Sequence, residues 1–236
     1  MQIPRENGLE AVILAGGKGT RLQSVVSDRP KVLAPVAGVP FLHILLAHLA
    51  NKGFSRVVLS VGYMAGQVIQ ATGGNFAGLD ICYVKEEEPL GTGGGLRLAL
   101  QACLRDHVFV LNGDTFLDLD FAQVEVLWQK MKEPILIGRN VEDTARYGRL
   151  QTEGARVTAF MEKGVPGPGL INAGCYILPP SILDGFPPET PFSLEEKFLQ
   201  PFVTKHPMLL FVTDGVFIDI GVPEDYARAQ TMWQSV

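Results

Sequence analysis

The chain has 236 residues, 47% of them hydrophobic and 19% charged, which excludes a disordered composition and allows one large α/β core. Its formal net charge of −5 excludes broad electrostatic binding of nucleic acid. Any phosphate it holds must be gripped locally, by a few cations and backbone amides.

The first ten residues are polar and mixed in charge and form no leader. No segment approaches the roughly 18 apolar residues of a membrane span. The protein is therefore expected in the cytoplasm, away from membranes. Cys82, Cys103 and Cys175 lie far apart in apolar surroundings, with neither metal-ligand nor disulfide spacing, and read as reduced core residues.

Ala11 to Ala15 is a short apolar strand closed by glycine, and Phe41 to Asn51 has helical apolar spacing with Gly53 as a stop. Arg56 to Val61 and Ile81 to Val84 read as strands, Leu96 to Leu104 as a helix, Val108 to Leu111 as a strand, and Val124 to Met131 as a helix. Such alternation means crossover connections and a mostly parallel, Rossmann-like central sheet with helices on both faces. After Pro134 the pattern shortens. Ile135 to Gly138, Arg149 to Gln151 and Val157 to Met161 predict hairpins, a small antiparallel insertion beside that sheet. Residues 165–169 form a loop, Leu170 to Leu178 and Met208 to Val212 return to strands, and Pro223 to Met232 is a closing helix. One domain over 1–236 is expected, with a change of pattern at about residue 133.

The most informative segment follows the first strand: Leu14, Ala15, Gly16, Gly17, Lys18, Gly19, Thr20, Arg21. Open α/β sheets bind ligands at this end of their strands. Three glycines in four positions let backbone amides close on a polyphosphate, Thr20 offers a hydroxyl, and Arg21 can fork onto phosphate oxygens. A third glycine at dinucleotide spacing is missing, which argues against a dehydrogenase, and no Walker Gly-Lys-Ser/Thr follows. Lys31, between Pro30 and Pro35, sits on a segment expected to be stiff and extended, aimed back at the same phosphates.

Gly-Gly-Lys-Gly-Thr-Arg-Leu (16–22) followed by Arg-Pro-Lys-Val-Leu-Ala-Pro-Val (29–36) resembles the signature of the sugar-1-phosphate nucleotidyltransferase family. The likeness continues through residues 89–94, Asn112-Gly113-Asp114, Tyr147-Gly148, Glu162-Lys163, 172–176 and Asp219-Ile220-Gly221, and is strong toward the heptose- and mannose-1-phosphate guanylyltransferases. It implies the nucleotide-diphospho-sugar transferase fold, with a nucleotide-binding part at about 1–133 and a sugar-binding part at about 134–236, and a reaction of a nucleoside triphosphate with a sugar 1-phosphate that releases pyrophosphate. It also implies Mg2+ held by Asp114 and Asp219, each of which read alone is equally a turn aspartate. Arg21, Lys31 and Asp114 become the catalytic candidates. Leu14 to Gly17, Gly19, Thr20, Arg21, Glu86, Gly91, Thr92 and Asn112 become the nucleotide site.

By the same resemblance Lys163 contacts the sugar phosphate and Glu162 the sugar hydroxyls, while Asp114, Tyr147, Gly148 and Asn172 line the sugar pocket. Gly164 stands where the family often has proline, and Val222, which cannot cap, where it often has threonine. Glu86 lies five residues before Gly91, at the family's base-reading position. A carboxylate only accepts hydrogen bonds, which suits guanine's N1–H and amine and favours GTP, with Glu87 or Glu88 as alternative readers. The favoured sugar is D-glycero-α-D-manno-heptose 1-phosphate, for a surface polysaccharide. Mannose 1-phosphate with GTP, N-acetylmuramate 1-phosphate with UTP, and a non-catalytic nucleotide-binding regulator are the alternatives. A homodimer fits the family. No nucleophile elbow or histidine cluster is present, and His43 and His48 read as structural. A sugar phosphate is already an anionic nucleophile, so the reaction asks for alignment and charge neutralisation rather than a general base.

Overall fold

The computed structural model describes residues 8–162 and 164–233. Lys163 and most of the N-terminal stretch read above for a leader lie outside the described residues. β1 (Leu9–Leu14) enters the glycine loop, and a hairpin of β2 (Pro35–Val36) and β3 (Val39–Pro40) leads to α1 (Phe41–Asn51) and β4 (Phe54–Val61). Then come α2 (Ala65–Thr72), β5 (Asn75–Phe76), β6 (Leu79–Lys85), α3 (Gly91–Leu100), β7 (Val108–Asn112), β8 (Thr115–Leu117) and α4 (Phe121–Met131). β9 (Ile135–Val141), β10 (Leu150–Glu153), β11 (Arg156–Phe160) and β12 (Gly169–Leu178) follow. A π-helical stretch (Leu194–Leu199) flows into α5 (Gln200–Lys205), and β13 (Met208–Thr213), β14 (Phe217–Asp219) and α6 (Pro223–Trp233) complete the order.

The strands of the main sheet lie in the order β10-β11-β13-β9-β12-β7-β1-β4-β6-β5. Its centre, β7-β1-β4-β6, is parallel. Side chains alternate faces along each strand. Ala11, Ile13, Val57, Leu59, Phe109 and Leu111 therefore meet α1 and α4 on one face. Val12, Val58 and Val110 meet α3 on the other. Both faces are covered, which is why these strands read as unbroken apolar runs.

Three expectations change. The antiparallel region is not beside the main sheet but hydrogen-bonded into it: β12 pairs antiparallel with both β7 and β9, and β10 and β11 continue the same sheet to its edge. The helix expected from Leu96 starts five residues earlier, at Gly91, and stops at Leu100. Glycine is a poor helix former, but here bulk is forbidden. A methyl on Gly93 would run into the Phe192 ring, and one on Gly94 would lie 2.7 Å from the Thr190 carbonyl oxygen. Long-range packing overrides local propensity. Lys31 sits on a 3-10 turn (Lys31–Leu33) rather than an extended segment; Pro30 before it is extended.

A separate two-stranded ribbon pairs β8 with β14, opposing Thr115 to Asp219. The turn before β14 depends on Gly215, where a methyl would collide with the Asp118 carbonyl oxygen. Gly215→Ala is expected to cost more than about 3 kcal/mol, since backbone must move to relieve the clash. Denaturant midpoints measure this; an unchanged midpoint would show that the ribbon tolerates displacement.

Candidate active site

The chain leaves β1 toward β4 and β6, then returns to β7 on the opposite side of β1. Such a switch point opens a crevice at the carboxyl ends of the strands, and the glycine loop and Asn112 to Asp114 emerge there. The Ala15 N–H donates to the Ser60 carbonyl (2.8 Å) and the Tyr63 N–H to the Gly16 carbonyl (3.1 Å), fastening the loop to the end of β4. Gly113 donates to the Leu14 carbonyl at 2.9 Å, and a methyl there would lie 2.7 Å from that oxygen. Only glycine lets β1 and β7 close so tightly.

A cavity of about 710 Å³ fills this crevice. Leu14 to Lys18, Arg21, Lys31, Gly91 and Asp114 line it, with Glu86, Glu87 and Glu88. A second cavity of about 290 Å³ adjoins it, lined by Thr115, Tyr147, Gly148, Asn172 and Phe217. The two share Thr92, Asn112, Glu195 and Asp219. Most residues named from the sequence thus converge on one double cavity. Gly19, Thr20 and Glu162 stand outside both linings. Thr20 and Glu162 are exposed, so neither side chain reaches the cavity as expected. Gly19 serves locally: its φ of +60° and the closeness of the Lys31 side chain seat the lysine.

Asp114 and Asp219 come together because β8 pairs with β14, and the Ile220 N–H donates to the Asp114 carbonyl at 2.9 Å. A methyl built on Gly221 would lie 2.7 Å from Asp219 Oδ1, 3.3 Å from Asp114 Oδ2 and 3.4 Å from Arg21 Nη2. Two carboxylates and a guanidinium therefore face one small space. Lys31 Nζ donates to Asp114 Oδ2. Burial pushes the Asp219 carboxyl above the usual range, and the neighbouring Asp114 pushes it further; the Gly221 N–H (2.6 Å), Lys31 and Arg21 pull it back.

Glu86 Oε2 accepts from the Leu90 N–H at 2.9 Å, and Oε1 from the Ser60 hydroxyl at 3.4 Å. The carboxylate is thus held by the protein, with one lone-pair position on each oxygen left over. In the smaller cavity, Asn172 Oδ1 accepts from the Gly174 N–H (3.0 Å) and its Nδ2 donates to the Tyr176 hydroxyl (2.7 Å). Burial pushes the Tyr176 hydroxyl beyond its ordinary range, keeping it a neutral partner. Burial, against the opposing pull of a hydrogen bond with the Tyr176 backbone, pushes the Cys175 thiol behind this wall up to about 12, which disfavours its reactive thiolate.

Sequence reasoning missed Glu195. It lies in the π-helical stretch Leu194–Leu199, capped by Ser193, which carries none of the sequence motifs. The segment is carried to the junction of the cavities by ties to the start of α3, about 100 residues away: the Leu194 N–H donates to Thr92 Oγ1 (2.9 Å), the Phe192 N–H to the Leu90 carbonyl (2.9 Å) and the Gly93 N–H to the Phe192 carbonyl (2.9 Å). His43 and His48 lie against aromatic rings, 4.8 Å from Phe76 and Phe116 respectively, and touch neither cavity. No helix among the described residues is long and apolar enough to cross a membrane.

The profile of the family described as nucleotidyl transferase matches residues 10–235. The D-glycero-alpha-D-manno-heptose 1-phosphate guanylyltransferase of Aneurinibacillus thermoaerophilus is 37% identical over 223 residues, 94% of this chain and 97% of that protein. The protein of the same name from Campylobacter jejuni is 39% identical over 219 residues, 92% of this chain and 97% of that protein. Among solved structures, HddC from Yersinia pseudotuberculosis, complexed with GMP-PN, superposes with a TM-score of 0.83 at 36% identity, covering 95% of this chain and 99% of that one. With the double cavity built from the residues that carry the resemblance, these matches establish that the chain belongs to the nucleotidyl transferase family.

Proposed function

We propose that the chain joins GTP to D-glycero-α-D-manno-heptose 1-phosphate in the cytoplasm, forming a GDP-heptose and pyrophosphate. The observation that carries this is the pair of adjoining cavities, with Asp219 in their common wall and Asp114, Arg21 and Lys31 beside it. The larger accommodates a nucleoside triphosphate along the glycine loop, the smaller a sugar phosphate. Base and sugar follow from the names of relatives 37–39% identical over nearly the whole chain and from the carboxylates at 86–88.

Within this reading a sugar-phosphate oxygen attacks the α-phosphorus, and the bond from that phosphorus to the β-phosphate bridging oxygen breaks as pyrophosphate leaves. The chain supplies alignment and positive charge. Amides of Gly16 and Gly17 hold the phosphates, and Arg21 and Lys31 neutralise charge that grows on them. Tyr147, Gly148 and Asn172 seat the sugar, and Lys163 grips its phosphate. Asp114 and Asp219 would hold a magnesium ion. Their fit is geometric: Asp219 Oδ1 and Asp114 Oδ2, two hard oxygen donors, border the same small space beside Gly221. When bound, the ion would withdraw charge from the phosphates it contacts.

Pyrophosphate release from a matrix of nucleoside triphosphates against sugar 1-phosphates tests the proposal. GTP with the heptose phosphate should exceed mannose 1-phosphate and N-acetylmuramate 1-phosphate, and GTP should exceed UTP. Release from no pair would overturn it in favour of a nucleotide-binding regulator. Glu86→Gln is a sharper test of the base reader. The amide must turn a donor either toward the Leu90 N–H or toward guanine's own donors. Its kcat/KM for GTP should fall roughly 10- to 100-fold, with melting temperature nearly unchanged. An unaltered GTP preference would pass the role to Glu87 or Glu88.

A further inference from the structure

Tyr147 reaches the sugar cavity from a segment, residues 142–149, with no extended strand pairing of its own. The base of the segment is tied to its neighbour. Asp143 Oδ1 accepts from the Ala145 and Gly167 amides, both at 3.0 Å, and the Thr144 hydroxyl donates to the Val165 carbonyl at 2.7 Å. Its tip is held differently. Arg146 donates to Asp225 Oδ2. The same guanidinium lies 5.7 Å from the centre of the Tyr147 ring and 3.5 Å from its hydroxyl.

Asp225 is 4% exposed, an unusual burial for a carboxylate, on the first turn of a helix whose buried face also carries Tyr226 and Ala229. Its second oxygen meets Arg228 at 3.3 Å. α6 also follows directly on the segment Asp219 to Val222. The Asp225–Arg146 pair therefore joins the segment carrying one site aspartate to the loop carrying the sugar-side tyrosine. Those are two walls of one cavity. A planar guanidinium suits this task, because it can fork to a carboxylate while its face lies over a ring.

We infer that Arg146 and Asp225 are positioning residues for the sugar phosphate: the pair locks Tyr147 into the wall of the smaller cavity and sets how well the acceptor is held. Neither residue was singled out by the sequence motifs, and neither lines the cavity. The inference rests on the reading of that cavity as the sugar-phosphate site. It makes a specific demand: loss of the pair acts on the acceptor and not on the nucleotide, because Tyr147 stands outside the lining of the larger cavity.

Steady-state kinetics of the full chain with GTP and heptose 1-phosphate decide it, with a melting curve for each variant. Arg146→Met and Asp225→Asn should each raise KM for the sugar phosphate on the order of tenfold or more, because a displaced binding group costs that much. KM for GTP should stay within about twofold in both. The double variant should be no worse than the worse single, since both remove one interaction. Arg228→Ala, which touches the same carboxylate from outside, should leave both constants unchanged. If Asp225→Asn fails to fold, Arg146→Met carries the test alone, because that side chain is half exposed.

Tyr147→Ala separates the two claims. If it raises KM for the sugar phosphate while Arg146→Met does not, the positioning inference is overturned and the cavity reading stands. If Tyr147→Ala also leaves that constant alone, or the parent shows no turnover, the cavity reading fails and takes the inference with it. Equal rises in both KM values, or additive losses, would assign the pair a general structural role and overturn the inference as well.

Discussion

Asp219→Asn is expected to reduce turnover by a factor on the order of 10³ while leaving the metal-free protein at least as stable as the parent. The two effects come from one arrangement. Asp219 is forced close to Asp114 by the β8–β14 ribbon and is largely out of water, and both conditions raise its proton affinity. Its pKa in the folded chain therefore lies above that in the unfolded chain. A raised carboxyl contributes most to stability while protonated, and that contribution is lost as pH climbs from the unfolded value through the folded one. At neutral pH the charged form is an electrostatic burden on the fold, tolerated because the site needs it. The amide keeps an oxygen for the Gly221 N–H and drops the charge. Melting curves in chelator from pH 4 to pH 7 should show the variant gaining on the parent as pH rises. A parent more stable throughout would mean that Lys31 and Arg21 over-compensate the carboxylate, and that the pair is structural rather than a site held ready for a cation.

Lys31→Met should act on stability in the opposite direction. The Lys31 and Asp114 side chains are only 17% and 18% exposed, so methionine leaves a poorly hydrated carboxylate without its nearest cation, beside a second carboxylate. Breaking one side of such a pair costs roughly 1–3 kcal/mol. Turnover should fall about 100-fold, since the same ammonium is placed to meet the triphosphate. Added magnesium supplies the missing positive charge, so it should raise the melting temperature more in Lys31→Met than in the parent. Equal or smaller stabilisation of the variant would show that the lysine and the cation do not compete for Asp114. Thermal melts with and without magnesium measure this directly.

What the sequence made legible has a physical pattern. α1 was readable end to end, because its apolar spacing and the glycine stop after it are local. The central parallel strands were readable because burial on both faces leaves an uninterrupted apolar run. The triphosphate side of the site followed from Gly16, Gly17, Arg21 and Asn112 to Asp114, since strand ends at a switch point face one crevice; Asp219, on the separate β8–β14 ribbon, was named by the family resemblance. The rest depended on partners distant in the chain. α3 begins on glycine because Phe192 and Thr190 forbid side chains there. Glu195 reaches the cavities because its segment is tied to the start of α3, the Thr92–Leu194 hydrogen bond among those ties. The Arg146–Asp225 pair spans 79 residues, and nothing local in Arg-Tyr-Gly or Pro-Glu-Asp announces it. The edge strands read as a separate insertion because their short alternating pattern does not reveal which existing edge they will extend.

The most direct measurement of the whole account follows the α-phosphorus. The protein is given heptose 1-phosphate, magnesium and GTP labelled at the α- or the γ-phosphate. Sugar-phosphate attack at the α-phosphorus predicts that the α-label leaves in a GDP-sugar and the γ-label in pyrophosphate, in equal amounts and only when the sugar phosphate is present. An α-label that stays in GTP, or that passes to GMP or GDP regardless of the sugar, would contradict it.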